Sequence, residues 1–397
     1  MKTKLIIFGI TGDLSKRKLL PALRDIYATG EYKDLSVIGV SRREVDIPEL
    51  LRSSLGSDDL APKFGIVSMD LANAKDYLRL KDEVALADGE QALIYLSVPP
   101  SASTDIVEFL GQAGFNTDNV KLLFEKPFGF DLSSAREYLE RVGKYFKEEQ
   151  IYRIDHYAAK EIAQQLITLR ADAENHQHHW SNESIAAVEV IASETIGVED
   201  RAVFYEQTGA LRDFLQGHLL QIMALVLMPV EPDFDLETLP ERRAEALKFM
   251  QPARPDKAAR AQYENYGEEV GNPGSLTETF AQLELESKDP KWTGVPLHVT
   301  TGKALDKKRS LVAIHYKDGS EEIFDEDKAQ PTDGRKLDAY ERVLLEAING
   351  HKALFTSADE VLRAWEIVAP VQETWAMNDQ PLKLYQPGST IDAVLSA

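Results

Sequence analysis

The stretch Leu5-Ile6-Ile7-Phe8-Gly9-Ile10-Thr11-Gly12-Asp13-Leu14-Ser15 decides the fold class of this chain. Its apolar run predicts a β-strand, its two glycines form a G-x-x-G turn, and residues 16–23 begin basic and become helical. A strand, a glycine turn and a helix form a phosphate cradle, because glycine lets the backbone approach an anion and the helix N-terminus directs N–H groups at it. The spacing is not the commoner G-x-G-x-x-G, so an ordinary tight turn is the alternative.

Further strand-like runs follow the cradle at spacings that leave room for helices, and they lie at residues 35–40, 64–69, 92–98 and 120–124. Strands that alternate with helices indicate a parallel, doubly wound, Rossmann-like sheet. Ligands of such sheets collect at the carboxyl ends of the strands. The candidate residues at these ends are Gly9, Gly12, Arg42, Pro99 and Lys126.

Two of these residues carry a specific expectation. Ser41-Arg42-Arg43 follows the second strand, where an arginine accommodates a 2′-phosphate, so the sequence favours NADP and leaves NAD as a second option. The alternative is a surface arginine pair. Lys126 precedes Pro127 at the end of the fifth strand, so a stiff backbone, with a cis bond as one option, would hold it within reach of coenzyme and substrate. The alternative is a lysine that ends a strand in solvent.

The chain changes character near residue 153. A strand is predicted at 187–193 and antiparallel strands at 280–286 and 295–301, with a hairpin over 311–324 and helices at 338–347 and 357–375. We therefore predict a dinucleotide-binding domain over residues 1–152. An α+β substrate-binding and catalytic domain with a mainly antiparallel sheet is predicted over residues 153–397.

The boundary itself carries a cluster of polar groups, Arg153-Ile154-Asp155-His156-Tyr157-Ala158-Ala159-Lys160-Glu161. Taken as a helix start, the cluster has Asp155 as its cap and places His156 and Lys160 on one face. A histidine beside a lysine favours an anion between them, which predicts a phosphate site. The alternative is a solvated, charged helix start.

Residues 209–228 predict a long, mostly apolar helix in which Asp213, Gln216 and Gln221 fall near one side. His218 is embedded among apolar neighbours. A near-neutral imidazole in a partly dry site suits a general base for an alcohol, and a satisfied core histidine is the alternative.

Composition limits the classes of function. The 397 residues carry a net charge of −21 and no cysteine, which argues against nucleic acid or an anionic membrane as a partner and excludes a thiolate nucleophile. His176-Gln177-His178-His179 has no carboxylate at helical spacing, so we predict a polar loop and no metal site. We see no signal peptide and no membrane-spanning run, and we expect a cytoplasmic protein.

Several segments together resemble the glucose-6-phosphate dehydrogenase family. Residues 9–18 resemble its coenzyme turn, residues 125–129 its EKPFG segment and residues 153–161 its RIDHYxxKE signature. Further similar segments, in the family's order, are residues 209–221, 267–280, 292–305 and 338–342.

The resemblance implies a role for each matching residue. His218 would be the general base, and Asp155 would orient it, which requires the two to meet in the folded chain. The implied sugar and phosphate ligands are Lys126, His156, Tyr157, Lys160, Glu194, Asp213, Lys303 and Lys308. The implied coenzyme ligands are Gly9, Thr11, Gly12, Asp13, Leu14, Lys18, Arg42, Pro99 and Lys126.

The family's activity is the oxidation of glucose 6-phosphate at C1 to a lactone with NADP, and the resemblance also implies a homodimer or homotetramer. The chain departs from the family by being short around residues 311–335, where strands of the large sheet are expected. Gly217 also replaces a usual Asn beside the base. The alternatives are another NAD(P)-dependent sugar or sugar-phosphate dehydrogenase and a catalytically silent regulatory homologue.

Overall fold

The computed structural model describes residues 2–171, 180–229, 235–329 and 335–396. The His-rich segment 176–179 therefore lies outside the described residues. The chain forms two compact units, and the first comprises Met1–Gly129, Ser133–Ala159 and Leu337–Ala358. The second comprises Phe130–Leu132, Lys160–Lys336 and Asp359–Ala397. No helix in the described ranges is long and apolar enough to cross a lipid bilayer.

The strands are β1 (Lys2–Phe8), β2 (Leu35–Ser41), β3 (Phe64–Ser68), β4 (Glu90–Leu96), β5 (Val120–Phe124), β6 (Ile151–Ile154), β7 (Ile185–Ser193), β8 (Ala258–Tyr263), β9 (Phe280–Leu285), β10 (Leu297–Gly302), β11 (Arg309–Tyr316), β12 (Glu321–Asp325), β13 (Phe355–Thr356) and β14 (Lys383–Tyr385).

The α-helices are α1 (Leu20–Ala28), α2 (Ile47–Leu55), α3 (Ala74–Val84), α4 (Pro100–Gln112), α5 (Leu132–Gly143), α6 (Glu161–Ala171), α7 (Ala202–Ala210), α8 (Leu220–Leu227), α9 (Leu239–Phe249), α10 (Tyr266–Glu269), α11 (Ala339–Asn349), α12 (Ala358–Ala376) and α13 (Ile391–Ser396). Two π-helical segments, Ser15–Leu19 and Leu211–Leu219, run directly into α1 and α8.

The first unit is built on a seven-stranded sheet with the order β13-β6-β5-β4-β1-β2-β3. Strands β1 to β6 are parallel, and β13 pairs antiparallel with β6 at one edge. Strand β4 is buried at every position after its first, as parallel strands are when helices cover both faces of the sheet. This strand order confirms the predicted Rossmann-like sheet.

The second unit is built on a seven-stranded sheet with the order β12-β11-β7-β10-β9-β8-β14. Strands β7 and β10 are parallel, as are β8 and β14, and the other neighbouring pairs are antiparallel. The π-helical segment Leu211–Leu219 packs on β7, β9 and β10. The predicted mainly antiparallel sheet and the β11–β12 hairpin are both confirmed.

The structure divides the chain differently from the single boundary predicted at residue 153. Strand β6 and residues 155–159 stay with the first unit, and α11 and β13 return to it from far along the chain. Helix α11 packs on α1 while β13 completes the sheet edge beside β6. Such a return depends on tertiary packing, because no local composition or periodicity marks it.

The predicted helix start at Asp155 is wrong. Strand β6 continues to Ile154, and α6 begins only at Glu161. Between them, Ala158 N–H donates to the Asp155 carbonyl at 3.0 Å and Ala159 N–H donates to the His156 carbonyl at 3.3 Å. These bonds close consecutive turns, so the predicted arrangement of His156 and Lys160 on one helical face does not form.

Candidate active site

The glycine turn after β1 is held against the end of β4. Gly9 has a φ of 80°, and a Cβ built on it would lie 2.2 Å from the Ser97 carbonyl oxygen. Gly12 N–H donates to the Gly9 carbonyl at 2.9 Å, and the Ser15 hydroxyl donates to that carbonyl at the same distance. Only glycine fits at the first position, and the helical segment starts directly after the turn. The sequence prediction of an anion cradle therefore has the required backbone geometry.

The end of β2 places Arg42 beside this turn, since β2 is the hydrogen-bonded neighbour of β1 and Gly9 N–H donates to the Val40 carbonyl at 3.2 Å. Arg42 is exposed, and within the described ranges it has no carboxylate partner. Lys18 lies in the π-helical segment that follows the turn, with its Nζ 3.7 Å from Asp338 Oδ2 and 5.9 Å from the centre of the Tyr340 ring. Thr11 and Asp13 are exposed, Leu14 is half-buried, and Pro99 lies directly before α4.

The end of β5 carries Glu125, Lys126 and Pro127, and the Lys126–Pro127 peptide bond is cis. The Tyr95 hydroxyl donates a short hydrogen bond to Glu125. Burial raises the pKa of Glu125 to about 7, and the negative charge of Asp155 acts in the same direction. The Tyr95 hydrogen bond and the Lys126 charge oppose this shift without cancelling it. A buried carboxyl group that holds a proton near neutrality therefore stands directly beside Lys126.

The turn after β6 fixes Asp155 and His156 in the first unit. Asp155 is 2% exposed, and its Oδ1 accepts from the Tyr157 backbone N–H at 3.0 Å. The His156 ring stacks on the Tyr340 ring, with centroids 6.0 Å apart and planes 16° apart. Tyr157 is buried as well. Local turn chemistry therefore sets the direction of the Asp155 carboxylate.

In the second unit, a kink starts the helix that carries Asp213 and His218. Gly209 has φ 63° and ψ 179°, a conformation that is essentially restricted to glycine. Glu278 Oε1 accepts from Leu211 N–H at 2.9 Å, and the Glu278 carbonyl accepts from Ala210 N–H at the same distance. Burial raises the pKa of Glu278, opposed by the Leu211 amide and by the charges of Arg212 and Arg260. Glu278 therefore caps the first turn of the π-helical segment.

His218 lies in this π-helical segment and is 6% exposed, with the Phe214 ring edge-on at 5.4 Å. Asp213 Oδ1 accepts from Arg201 at 3.2 Å. Asp213 Oδ2 and Gln221 Oε1 are buried and have no hydrogen-bond partner among the described residues. A buried carboxylate oxygen without a donor fits a ligand hydroxyl, because desolvating it unpaired is costly. Single π-helical turns often occur at functional sites.

Neighbouring strands bring Glu194 and Lys303 together. Strands β7 and β10 are parallel and in register at Ser193 and Gly302, so the next residue of each lies at the same sheet edge. Lys303 is 5% exposed and forms a short ion pair with Glu194, and its Nζ lies 5.3 Å from the centre of the Tyr205 ring. Lys308 is exposed. The structure thus joins two of the predicted sugar ligands of the second unit.

Three residues of these sites were not predicted from the sequence. Tyr340 lies beside His156, Tyr95 binds Glu125, and Glu278 caps the helix of His218. Tyr340 and Glu278 fall within segments 338–342 and 267–280, which the resemblance included without giving either residue a role. Tyr95 lies inside a buried strand, where no sequence signal separates it from a core aromatic residue.

Comparison with known proteins covers both units. Residues 6–165 match the family model described as glucose-6-phosphate dehydrogenase, NAD binding domain. Residues 167–337 and 328–394 match the model of that enzyme's C-terminal domain. The chain is 33% identical to glucose-6-phosphate 1-dehydrogenase of Gluconobacter oxydans, covering 97% of this chain and 93% of the relative. It is 32% identical to the Helicobacter pylori enzyme, covering 96% and 95%.

Solved structures agree with these relatives. The crystal structure of glucose-6-phosphate 1-dehydrogenase from Mycobacterium avium superposes with a TM-score of 0.88 at 30% identity, covering all of this chain and 96% of that one. A glucose-6-phosphate dehydrogenase in complex with glucose 6-phosphate superposes with a TM-score of 0.90 at 26% identity, covering all of this chain and 97% of that one. The chain belongs to the glucose-6-phosphate dehydrogenase family.

Proposed function

We propose that this protein oxidises the C1 hydroxyl of D-glucose 6-phosphate to 6-phospho-D-glucono-1,5-lactone, with hydride transfer to NADP. The observation that carries the proposal is the match of both family domains along nearly the whole chain. The residues implied as base, phosphate ligands and coenzyme turn all lie within the matched ranges. This reaction opens the oxidative branch of glucose 6-phosphate metabolism.

Two observations support coenzyme binding by the first unit. The Gly9 position tolerates no side chain, so backbone N–H groups can approach a pyrophosphate, and Arg42 offers an exposed guanidinium without a carboxylate partner among the described residues. NADP, when bound, supplies the hydride acceptor. A cavity of about 390 Å³ near the segments after β3 and β4 has a mainly apolar lining, which suits an adenine ring. Its walls are formed by Leu71, Ala72, Ala102, Ile106 and Phe109, together with Asp105 and Glu108.

The second unit supplies the base. We assign His218 to remove the C1 hydroxyl proton while the C1–H bond breaks and its electron pair leaves as hydride, so that the C1–O bond becomes a carbonyl. Asp155 orients His218 and stabilises the imidazolium that forms. The burial of His218 supports this role, since packing holds the imidazole in one position. A positioned base contributes about 10²–10⁴-fold to the rate.

The remaining residues bind the sugar phosphate. We assign His156, Tyr157, Lys160 and Lys308 to the phosphate. Two groups of the second unit support the sugar assignments. Asp213 has a buried oxygen without a donor in the described ranges, and Glu194 is held by Lys303 at a common sheet edge. Hydroxyl groups of a sugar donate to such carboxylates.

Lys126 is assigned to bridge substrate and coenzyme. Glu125 supports this assignment, because a carboxyl group that is only partly ionised near neutrality neutralises the adjacent lysine charge less than an ordinary carboxylate would. We also propose that the protein is a cytoplasmic homodimer or homotetramer. Analytical ultracentrifugation tests the oligomeric state, and cell fractionation tests the location.

The decisive experiment follows the near-ultraviolet absorbance of reduced nicotinamide with glucose 6-phosphate or glucose, each with NADP and NAD. We expect turnover with the phosphorylated sugar and a preference for NADP. Arg42→Ala should weaken NADP by about tenfold or more and leave NAD nearly unchanged, since one charge-assisted contact to the 2′-phosphate is lost. Turnover of glucose but not of its 6-phosphate would contradict the proposal.

A further inference from the structure

A second cavity lies in the second unit, at the start of the helical segment that also carries Asp213. Its volume is about 430 Å³, within the range of small-molecule sites. Its walls come from the start of the Leu211–Leu219 segment, the loop over residues 274–278 and the C-terminal end of α12. The lining residues that bear on its chemistry are Arg212, Arg260, Glu278, Gln372, Trp375 and Asn378.

Each of the two arginines has N–H groups that donate to no acceptor among the described residues. Arg212 donates from Nε to the Thr208 carbonyl at 2.9 Å, and its terminal nitrogens have no hydrogen-bond or ion-pair partner in the part of the chain that the structure describes. Arg260 donates from one terminal nitrogen to the Asn378 carbonyl at 3.4 Å, and its guanidinium carbon lies 5.3 Å from the centre of the Trp375 ring. Burial lowers the pKa of Arg260, and the nearby charge of Glu278 opposes this only in part. Among the described residues, neither half-buried guanidinium forms a close ion pair, and the charge of Glu278 compensates their burial only in part.

The carboxylates on the same walls are already engaged. Glu206 accepts from Tyr266 and Ser275 hydroxyls at 2.6 Å and from the Asn272 amide at 3.0 Å. Glu278 accepts the Leu211 N–H. Glu206 and one oxygen of Glu278 are thus engaged while terminal guanidinium nitrogens remain, so a ligand that supplies negatively charged oxygens fits the cavity.

We propose that this cavity binds a small organic phosphate, held by Arg212 and Arg260 with its carbon framework against the indole of Trp375. A tetrahedral phosphate offers enough oxygens for two guanidiniums, and an indole face favours an organic group over a bare ion. None of the residues assigned above to sugar, phosphate or coenzyme lines this cavity. The proposal is independent of the dehydrogenase reaction.

The test is calorimetric titration of the full-length protein with phenyl phosphate and with inorganic phosphate. Because phenyl phosphate can also enter the proposed substrate phosphate site, the titrations are made in the Lys160→Gln variant. We expect phenyl phosphate to bind more tightly than inorganic phosphate. Adding Arg260→Gln should weaken phenyl phosphate by about tenfold or more, and Trp375→Leu should remove the preference for the aromatic compound.

Arg254→Gln is the matched control, because Arg254 is exposed and paired with Asp256 at 2.6 Å. It should leave the titration unchanged, and thermal melting of each variant checks its fold. Arg212→Gln provides a second removal of a donor if Arg260→Gln melts early. The proposal is overturned if phenyl phosphate does not bind, or if its affinity is the same with both arginines replaced. Since no turnover is measured, failure of the proposed dehydrogenase reaction would leave this result intact.

Discussion

Gly9 and Gly209 both precede a helical segment, but different groups hold them in place. A Cβ on Gly9 would meet the backbone carbonyl of Ser97 at 2.2 Å, whereas a Cβ on Gly209 would meet the side-chain carboxylate of Glu278 at 2.4 Å. A carbonyl at a strand end is fixed by the sheet, but a carboxylate can be replaced by mutation. The coenzyme turn of the first unit is therefore held by backbone alone, whereas the helix start of the second unit is held in part by a replaceable side chain, although Gly209 itself must stay glycine.

The largest effect is expected for His218, which lies in the helical segment of the second unit and is assigned as the base. His218→Asn should lower kcat by about 10²–10⁴-fold with a small change in KM, because the amide fills similar space and cannot accept the proton. Steady-state assays with glucose 6-phosphate and NADP measure it. Gln216→Ala, at a buried position two residues earlier in the same segment, controls for packing. An unchanged kcat in His218→Asn would remove this residue as the base.

Gly9→Ala tests whether the glycine turn of the first unit is held by the backbone. The positive φ and the overlap with Ser97 should together cost about 4 kcal/mol and remove coenzyme binding. Denaturant unfolding and coenzyme titration measure the two effects. Gly65→Ala is the control, since a Cβ there meets nothing within 4 Å. If Gly9→Ala binds NADP with wild-type affinity, the turn is not a fixed cradle.

A buried glutamate of the first unit supplies the pH dependence. The folded-state pKa of Glu125 is raised from 4.5 to about 7, so the native state holds this proton more tightly than the unfolded chain. The resulting stability is present below pH 4.5 and is lost as the pH rises through about 7. The loss should reach up to about 3 kcal/mol. Glu125→Gln should flatten this part of the stability profile.

Denaturant unfolding of wild type and Glu125→Gln across that pH range measures the difference between the two profiles. Glu49→Gln, on the exposed face of α2, is a control that should keep the wild-type slope. Parallel profiles for wild type and Glu125→Gln would show that Glu125 ionises normally in the folded protein.

The smallest effect is expected for Glu278, and it tests whether this side chain holds the helix start of the second unit. Glu278→Ala leaves the buried Leu211 N–H without an acceptor and should cost about 2 kcal/mol, while Glu278→Gln keeps an acceptor and should cost less than about 1 kcal/mol. Unfolding and kcat are measured together, with exposed Glu268→Ala as the control. Equal losses for the two substitutions would show that the carboxylate charge, and not the cap, holds the helix.

The sequence predicted the parallel sheet, the antiparallel sheet and the hairpin because their signals are local. Alternating or continuous apolar runs and turn residues mark each strand in its own few residues. The same reasoning failed at residues 155–160, where a capping residue and helical spacing suggested a helix but consecutive turns formed. Asp and His serve turns and helix caps equally well, so local pattern alone does not separate the two.

The glycine turn, the base candidate and the likeness to the family were determined by the sequence by itself, because each rests on residue types at fixed short spacings. Tertiary structure alone decided that α11 and β13 return to the first unit, that Tyr95 holds Glu125 and that Glu278 caps the helix of His218. These contacts join residues from 30 to more than 200 positions apart. Their energies come from burial and from satisfying desolvated polar groups, which depend on the packed surroundings and leave no periodic trace along the chain.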